Sequence, residues 1–340
     1  MTDTDLLIAG GGPVGLYAAI AARSAGLTVV LVEPRALPID KACGEGLMPG
    51  AVAALEAIGV RPEGVPIAGF RYTDGRRSVE HRLRGASGRG VRRTMLSTAL
   101  AARAREAGVI SVAGRVSDVQ QDATGVTAAG VRARWLLGCD GLHSTVRRLA
   151  GLERTARPGQ RFGLRRHYRV APWTDLVEVH WGRTIEAYVT PVAPDLVGVA
   201  VLGPRHAGYD EALAQVPELA ARLAGADPAG PVKGAGPLRQ RTRARSAGRV
   251  LLAGDASGYV DALTGEGMRV GFAQADAAVA ALVAGEAGGY ERQWAHRTRD
   301  FRILTGGLVG LATSPLRRAV LPAAVALPGV YGGFVERLAR

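Results

Sequence analysis

The sequence predicts an α/β protein, and three observations carry the prediction. A short apolar run, Leu6 to Ala9, passes through a glycine turn into an alanine-rich helical stretch and then into a second apolar run, Thr28 to Val32. The same strand-to-turn form returns at Trp135 to Gly141 and at Val250 to Asp255. Between these two, from about Gln160 to Gly203, the pattern changes to short strand-like runs broken by prolines. A parallel sheet with helices, a separate antiparallel sheet and a helical C-terminal segment are expected.

In chain order, the first run is bounded by Gly10-Gly-Gly-Pro-Val-Gly15, and each glycine has a task. Gly10 permits the tight turn, Gly12 lets the backbone approach a pyrophosphate, and Gly15 lets the helix pack closely on the strand. Pro13, between Gly12 and Gly15, joins them as a candidate cofactor contact. The helix N-terminus offers unpaired N–H groups and the positive end of its dipole to an anion. Glu33, at the end of the second run, is placed to accept hydrogen bonds from ribose hydroxyls, and Arg35 lies beside it. This is the pattern of a Rossmann-type dinucleotide-binding unit.

Lys41-Ala-Cys-Gly-Glu-Gly-Leu-Met-Pro49 follows. Arg92 and Arg93 precede a helical stretch, and either could serve as an anion contact or stand as a surface residue. Asp140-Gly141 and Gly254-Asp255 each occupy a turn at a strand's end, and Thr264-Gly-Glu-Gly-Met268 opens a long helix to about Ala284. Three strand-to-loop sites imply one extended cofactor lying across the sheet.

These motifs resemble those of the p-hydroxybenzoate hydroxylase fold group of FAD enzymes, in which a glycine fingerprint, a DG turn and a GD turn bind one FAD. The resemblance covers nearly the whole chain. It implies a Rossmann-type FAD-binding domain, an antiparallel substrate domain roofing the flavin, and a C-terminal helical segment. The expected boundaries are 1–65, 90–155 and 246–290 for the first, 66–89 and 156–245 for the second, and 291–340 for the third. By the same resemblance Asp255 bonds the ribityl chain and Arg93 the phosphates. Gly44, Asp140, Gly254, Gly265, Gly267 and Met268 join the cofactor site, with NAD(P)H as electron donor. A helix beginning near Gly267 aims free N–H groups at the ring that gains negative charge on reduction; Glu266 either caps that helix or points to solvent.

The C-G-E-G segment, Asp255-Ala-Ser-Gly258 and Thr264-Gly-Glu-Gly267 look like the geranylgeranyl reductase branch. Similar motifs also resemble hydroxylases of phenolic or polyketide lipids. The leading expectation is an NAD(P)H-dependent FAD monooxygenase acting on an apolar aromatic, polyketide or lipid molecule; the alternative is a flavin-dependent reductase of isoprenoid double bonds. Cys43 is the candidate proton donor of the reductase, and equally a small residue packed beside the flavin. His143 reads as a loop residue, and His167 and His180 sit in strand-like runs without partners that sequence identifies.

Strands are expected at Phe162 to Val170, Val177 to Trp181, Thr184 to Thr190 and Leu196 to Leu202, with Phe70 to Arg84 adding more. Trp181 and Tyr188 are candidates to line a substrate pocket, and Tyr168 is a third large ring. Asp210 to Ala224 reads as a helix, Ala226 to Pro231 as a loop, and Pro315, Pro322 and Pro328 as dividers of the tail into short helices. That tail either packs on the body or meets a membrane surface peripherally.

Composition sets the remaining bounds. The 340 residues are 47% hydrophobic and 21% charged, enough for a large core and inconsistent with a disordered chain. The net charge of +13 and the eight arginines between Arg71 and Arg93 invite a nucleic-acid reading. Aromatics at 5% supply few stacking platforms, and only Lys41 and Lys233 are lysine among 43 basic residues, so an arginine-rich solvated surface is the reading adopted. Two cysteines, Cys43 and Cys139, cannot frame a fold, and no spacing suits a metal. The N-terminal Met1-Thr-Asp-Thr-Asp5 is acidic where a signal peptide is basic, so a cytoplasmic protein is expected.

Overall fold

The structure, a computed structural model, describes residues 3–154, 160–205 and 208–339. Met1 and Thr2 of the acidic N-terminal stretch, and the expected boundary at 155/156, lie outside the described residues.

The chain opens with β1 (Thr4–Ala9), α1 (Pro13–Ser24) and β2 (Val29–Glu33). It then leaves for two strands, β3 (Gly69–Thr73) and β4 (Ser78–Arg82), and returns through α2 (Arg93–Glu106), β5 (Ile110–Ala113) and β6 (Val131–Gly138). A second excursion builds β7 (Phe162–Arg169), β8 (Leu176–Trp181), β9 (Glu186–Ala193) and β10 (Leu196–Gly203). The chain comes back with β11 (Val250–Leu252) and α3 (Gly267–Val283), and finishes in α4 (Tyr290–Ala312), α5 (Arg317–Ala326) and α6 (Pro328–Ala339).

The first sheet runs β11-β6-β1-β2-β5, all parallel, with Leu6 opposite both Trp135 and Val29. Leu6, Leu7 and Ile8 are fully buried, which is why this strand reads as an unbroken apolar run: helices cover the face of Leu6 and Ile8, and the strand Val126–Ala128, which pairs with β6, packs on the face of Leu7. The second sheet runs β7-β10-β9-β8-β3-β4. It is antiparallel except at β8 and β3, which pair in parallel with Leu176 opposite Gly69. The exception has a topological cause. β3 and β8 are delivered by separate excursions from the first sheet, so no hairpin constrains their direction.

Four local expectations are corrected. The helix expected over Asp210 to Ala224 is two short helices, Tyr209–Leu213 and Pro217–Arg222, because Pro217 can start a helix but not continue one. The expected loop after Ala226 includes a two-residue strand, Asp227–Pro228, paired with β7. Pro322 does not divide the tail: it sits inside α5, which gives up one backbone bond there while Leu321 is buried against the second sheet. Pro191 likewise lies within β9, where a register shift between Pro191 and Ala193 absorbs its missing donor.

A buried ion cluster fixes the tail to the second sheet. Glu186 on β9 has no exposed surface, and its two carboxylate oxygens pair with Arg161 and with Arg317 of α5. Arg161 also lies 3.3 Å from Asp261. Burial pushes the Asp261 carboxyl up to about 6, against the pull of Arg161. Removing one partner of such a cluster strands a buried charge. Glu186→Ala is therefore expected to cost about 3–5 kcal/mol, read as a lower urea midpoint; a change below about 1 kcal/mol would place the anchoring of the tail elsewhere.

Candidate functional site

A long cleft runs between the two sheets, from Arg35 and Gly12 at one end to Gly265, Gly267 and Met268 at the other. Its floor is the strand ends of the first sheet. Gly10 takes φ +105°, and a Cβ there would lie 2.6 Å from the Cys139 carbonyl oxygen. A Cβ on Gly15 would lie 1.9 Å from the Gly10 oxygen, so helix α1 can cross β1 this closely only with glycine. Gly12 differs: the nearest atom to its added Cβ would be Arg93 Nη2, at 3.9 Å. Gly12 is thus open towards the cleft, as a residue against which a ligand's phosphates pass would be. No side chain caps α1, whose free N–H groups remain available, and Pro13 at its first turn lines the cleft.

Glu33 is buried, and its carboxylate accepts from Gly11 N at 2.7 Å, from Arg35 N at 3.0 Å and from the Arg35 guanidinium at 2.7 and 3.0 Å. Burial opposes its charge, but these donors outweigh burial and hold the carboxyl below the usual range. All four acceptor positions are engaged, so a ribose would bind here by displacing Arg35, whose side chain is half-exposed. Of the arginine pair, Arg93 lines the cleft; Arg92 does not. Asp140 lines the cleft, and its carboxylate accepts from Ser144 Oγ and from Val146 N in the first turn of the helix Thr145–Leu149, whose N-cap is Ser144. Gly254 and Asp255 line the cleft, and Asp255 lies 3.7 Å from Lys41 Nζ.

The loop from Asp40 to Gly46 forms one wall, bringing Cys43 and Gly44 to the cleft. Cys43 Sγ accepts from Glu45 N at 3.4 Å. Sequence reasoning passed over what holds this loop. Glu45, at φ +60° and buried, accepts Arg93 N at 2.8 Å on one oxygen and His167 Nε2 at 2.6 Å on the other. Arg165 Nη1 lies 3.0 Å from His167 Nδ1. A guanidinium can only donate, so Nδ1 is the acceptor and Nε2 carries the hydrogen given to Glu45. Arg165 also reaches Asp40 at 2.5 Å, and Thr190 Oγ1 donates to Gly44 O at 2.8 Å. Lys41 and Arg165, both lining the cleft, were missed as well; Lys41 carried a signal, being one of two lysines in an arginine-dominated chain. His180 pairs with Glu178 at 3.3 Å, and His143 lies 3.1 Å from Gly236 O near the Arg35 end.

The roof over the Gly265 end is apolar: Phe70, Tyr72, Val177, Val179, Tyr188 and Leu202 face inwards from the second sheet. Tyr188 donates to Leu263 O at 2.7 Å, and burial raises the pKa of both phenols well above its ordinary value. Trp181 is corrected: it follows Val177 and Val179 on the same face of β8 but lies past the cleft's end, against Tyr72 and under Arg317 of α5. Tyr168 faces the opposite side of its sheet. At the far end, Gly265 takes φ +71° with open space around it, and α3 begins without a side-chain cap. Glu266 neither caps nor reaches solvent: it is buried on Arg269 at 2.5 Å, and burial pushes its carboxyl up to about 7 despite that partner. Among the described residues there is no group of three metal-ligating side chains.

The arrangement fits FAD. Its diphosphate matches the uncapped α1 terminus, Gly12 and Arg93; its isoalloxazine matches the open backbone at Gly44 and Gly265, with Gly267 beside them lying against Tyr259.

Comparison with known proteins agrees. A family model described as FAD binding domain matches residues 3–294. A 3-(3-hydroxy-phenyl)propionate/3-hydroxycinnamic acid hydroxylase of Mycobacterium sp. (strain JLS) is 35% identical over 170 residues, which is 44% of this chain and 30% of that protein. A dialkyldecalin synthase of Streptomyces rugosporus is 30% identical over 302 residues, 81% of this chain and 64% of that protein. The chain thus spans less than two thirds of either relative. The structure of p-nitrophenol 4-monooxygenase from Pseudomonas putida DLL-E4 superposes with TM-score 0.82 at 20% identity, over 99% of this chain and 97% of that one, which speaks for the fold.

Two outcomes are expected from this geometry. Gly12→Ala should leave the FAD-free protein within about 1 kcal/mol of the parent yet weaken FAD retention, because only a ligand meets the new methyl. Gly15→Ala should lose roughly 1–3 kcal/mol or more of stability with or without FAD; equal behaviour of the two variants in thermal melts would refute the distinction. For Glu266, the native carboxyl keeps its proton up to about 7. An unfolded chain releases it near the ordinary value, so this residue's contribution to stability falls as pH rises through that window. Gln copies the protonated form. Melting temperatures at about pH 5 and about pH 8 should therefore drop less in Glu266→Gln than in the parent.

Proposed function

The chain belongs to the FAD-binding-domain family, and on that premise we propose that it is an NAD(P)H-dependent FAD monooxygenase that hydroxylates or epoxidises an apolar aromatic, polyketide-derived or lipid substrate. The observation that carries the reading is the composition of the cleft. Its Arg35 end is polar and basic, suited to an adenosine diphosphate, while its Gly265 end is roofed by aliphatic and aromatic side chains. The two phenols in that roof are held protonated by burial, so the roof supplies a dry, shaped space rather than an acid and base pair. FAD, when bound, supplies electron transfer and dioxygen activation. The chain's part is to hold phosphates at α1 and Arg93 and to aim the α3 terminus at the ring that gains charge. The sheet then orients an apolar substrate away from water. The names of the hydroxylase and monooxygenase relatives support the same reading.

The second reading, a flavin-dependent reductase of isoprenoid double bonds of the geranylgeranyl type, is favoured by Cys43. Its sulfur lines the cleft and accepts the Glu45 amide, and a thiol that accepts through sulfur can still donate its proton.

Product mass separates them. With FAD, NAD(P)H, air and a panel of apolar phenols, polyketides and polyprenyl lipids, a product heavier by one oxygen atom is expected. Cys43→Ala should retain most product formation. A product heavier by two hydrogens, with a Cys43→Ala loss of about 10²- to 10⁴-fold at normal flavin reduction, would replace the first reading by the second. Turnover without flavin reduction would overturn both.

A further inference from the structure

The turn between α5 and α6 is apolar and outward-facing. Leu327 is 56% exposed and Val330 69%, with Val325 at 38%, and the exposed Ala323, Ala326, Pro328 and Gly329 complete the run. Scattered exposed apolar residues need no explanation, but a run this long at the tip of a helical corner does. The two helices meet at 105° and cannot straighten into a span without leaving the body. Leu321, Tyr331, Val335 and Leu338 are buried, and Arg317 is tied to Glu186.

A basic groove adjoins the same turn. Gly329 and Gly333 line it together with Arg84, Arg269, Arg297 and Arg337. Its two carboxylates are engaged: Asp300 pairs with Arg337 at 2.8 Å, and Glu336 binds His81 at 2.8 Å and the Arg84 amide at 2.7 Å. From Phe301 to Val335 the sequence holds no Asp or Glu at all, in a chain of net charge +13.

We propose that the α5–α6 turn is a peripheral membrane anchor, inserting Val325, Leu327 and Val330 among acyl chains while the adjoining arginine groove receives the phosphates of anionic lipids. Apolar tip and cationic flank together are what an interfacial anchor requires, since hydrophobic insertion and headgroup attraction each contribute and neither suffices alone. A second copy of the chain fits less well. A two-fold contact through this turn brings like patches together, setting one basic groove beside another. The placement also suits an apolar substrate: Tyr331 of α6 stacks edge-on against Tyr72, at 5.1 Å between centroids, and Tyr72 lines the cleft roof. The anchor itself does not depend on which reaction the cleft performs.

The test is flotation of the full FAD-loaded chain with vesicles of phosphatidylcholine alone or of phosphatidylcholine with phosphatidylglycerol. Co-flotation with the anionic vesicles, weakened by salt, is expected. The double substitution Leu327→Glu with Val330→Glu should reduce it roughly tenfold or more, and Arg84→Glu with Arg297→Glu by at least about fivefold per arginine, with flavin content and melting temperature unchanged. No flotation of the parent, or flotation of either variant equal to the parent's, would overturn the proposal. So would a parent dimer that Leu327→Glu with Val330→Glu converts to monomer without altering vesicle binding, which would make the turn an interface between copies.

Discussion

The cleft depends on one buried carboxylate. Glu45 holds a left-handed backbone conformation that glycine would adopt more easily, and it does so with both oxygens and its carbonyl engaged: Arg93 N, His167 Nε2 and, through the backbone, Val91 N at 2.8 Å. One side of that arrangement is the start of the helix whose first residue, Arg93, lines the cleft. The other is β7 of the second sheet, which carries His167. A single side chain therefore sets the distance between the phosphate end of the site and the sheet that roofs it. Arg165 completes the frame by fixing the histidine tautomer, so that the short bond to Glu45 is a donated hydrogen and not a repulsion between lone pairs. Strain at a non-glycine φ of this kind persists only where its surroundings over-determine it, and here they do.

The parts of this site that were legible in the sequence are the parts that act locally. The glycine fingerprint, the DG and GD turns and the start at Gly267 each place their own backbone, within a few residues, against a ligand; their spacing encodes their geometry. The Glu45–His167 and Arg165–Asp40 contacts join residues more than a hundred positions apart, and nothing in either segment names the other. Both histidine and carboxylate were visible, but no local pattern paired them. Trp181 shows a subtler limit. Strand alternation put it on the correct face, yet where the cleft ends along that face is decided by α5, which covers it. The parallel pairing of β3 and β8 was hidden for a related reason: neighbours in the sheet are delivered by different excursions of the chain.

Proline misled wherever its local preference was outvoted. Pro322 and Pro191 sit inside regular elements because Leu321 and the cross-strand neighbours of β9 are buried there, and loss of one backbone bond is tolerated when the flanking side chains fill the core. Pro217 behaves as its chemistry dictates: it stands at the first position of the second short helix, with Val216 and Leu219 buried on either side of it.

The polar and apolar ends of the cleft divide the work of recognition. At the Arg35 end the chain offers charge and backbone N–H groups, features that the diphosphate of a common cofactor uses in the same way whatever the reaction. At the Gly265 end it offers shape. Phe70 and Tyr72 on β3, Val177 and Val179 on β8, Tyr188 on β9 and Leu202 on β10 each contribute a side chain to the roof, so its contour is set by the register of four strands and not by any one motif. Those strands are in turn held by Glu186, which Arg317 ties to the C-terminal helices and Arg161 links to Asp261. A change of one methylene in such a wall alters discrimination among apolar ligands by only about 1–3 kcal/mol. Substrate choice in this fold is therefore distributed over many modest contacts, and it can shift by substitutions that leave the cofactor end untouched.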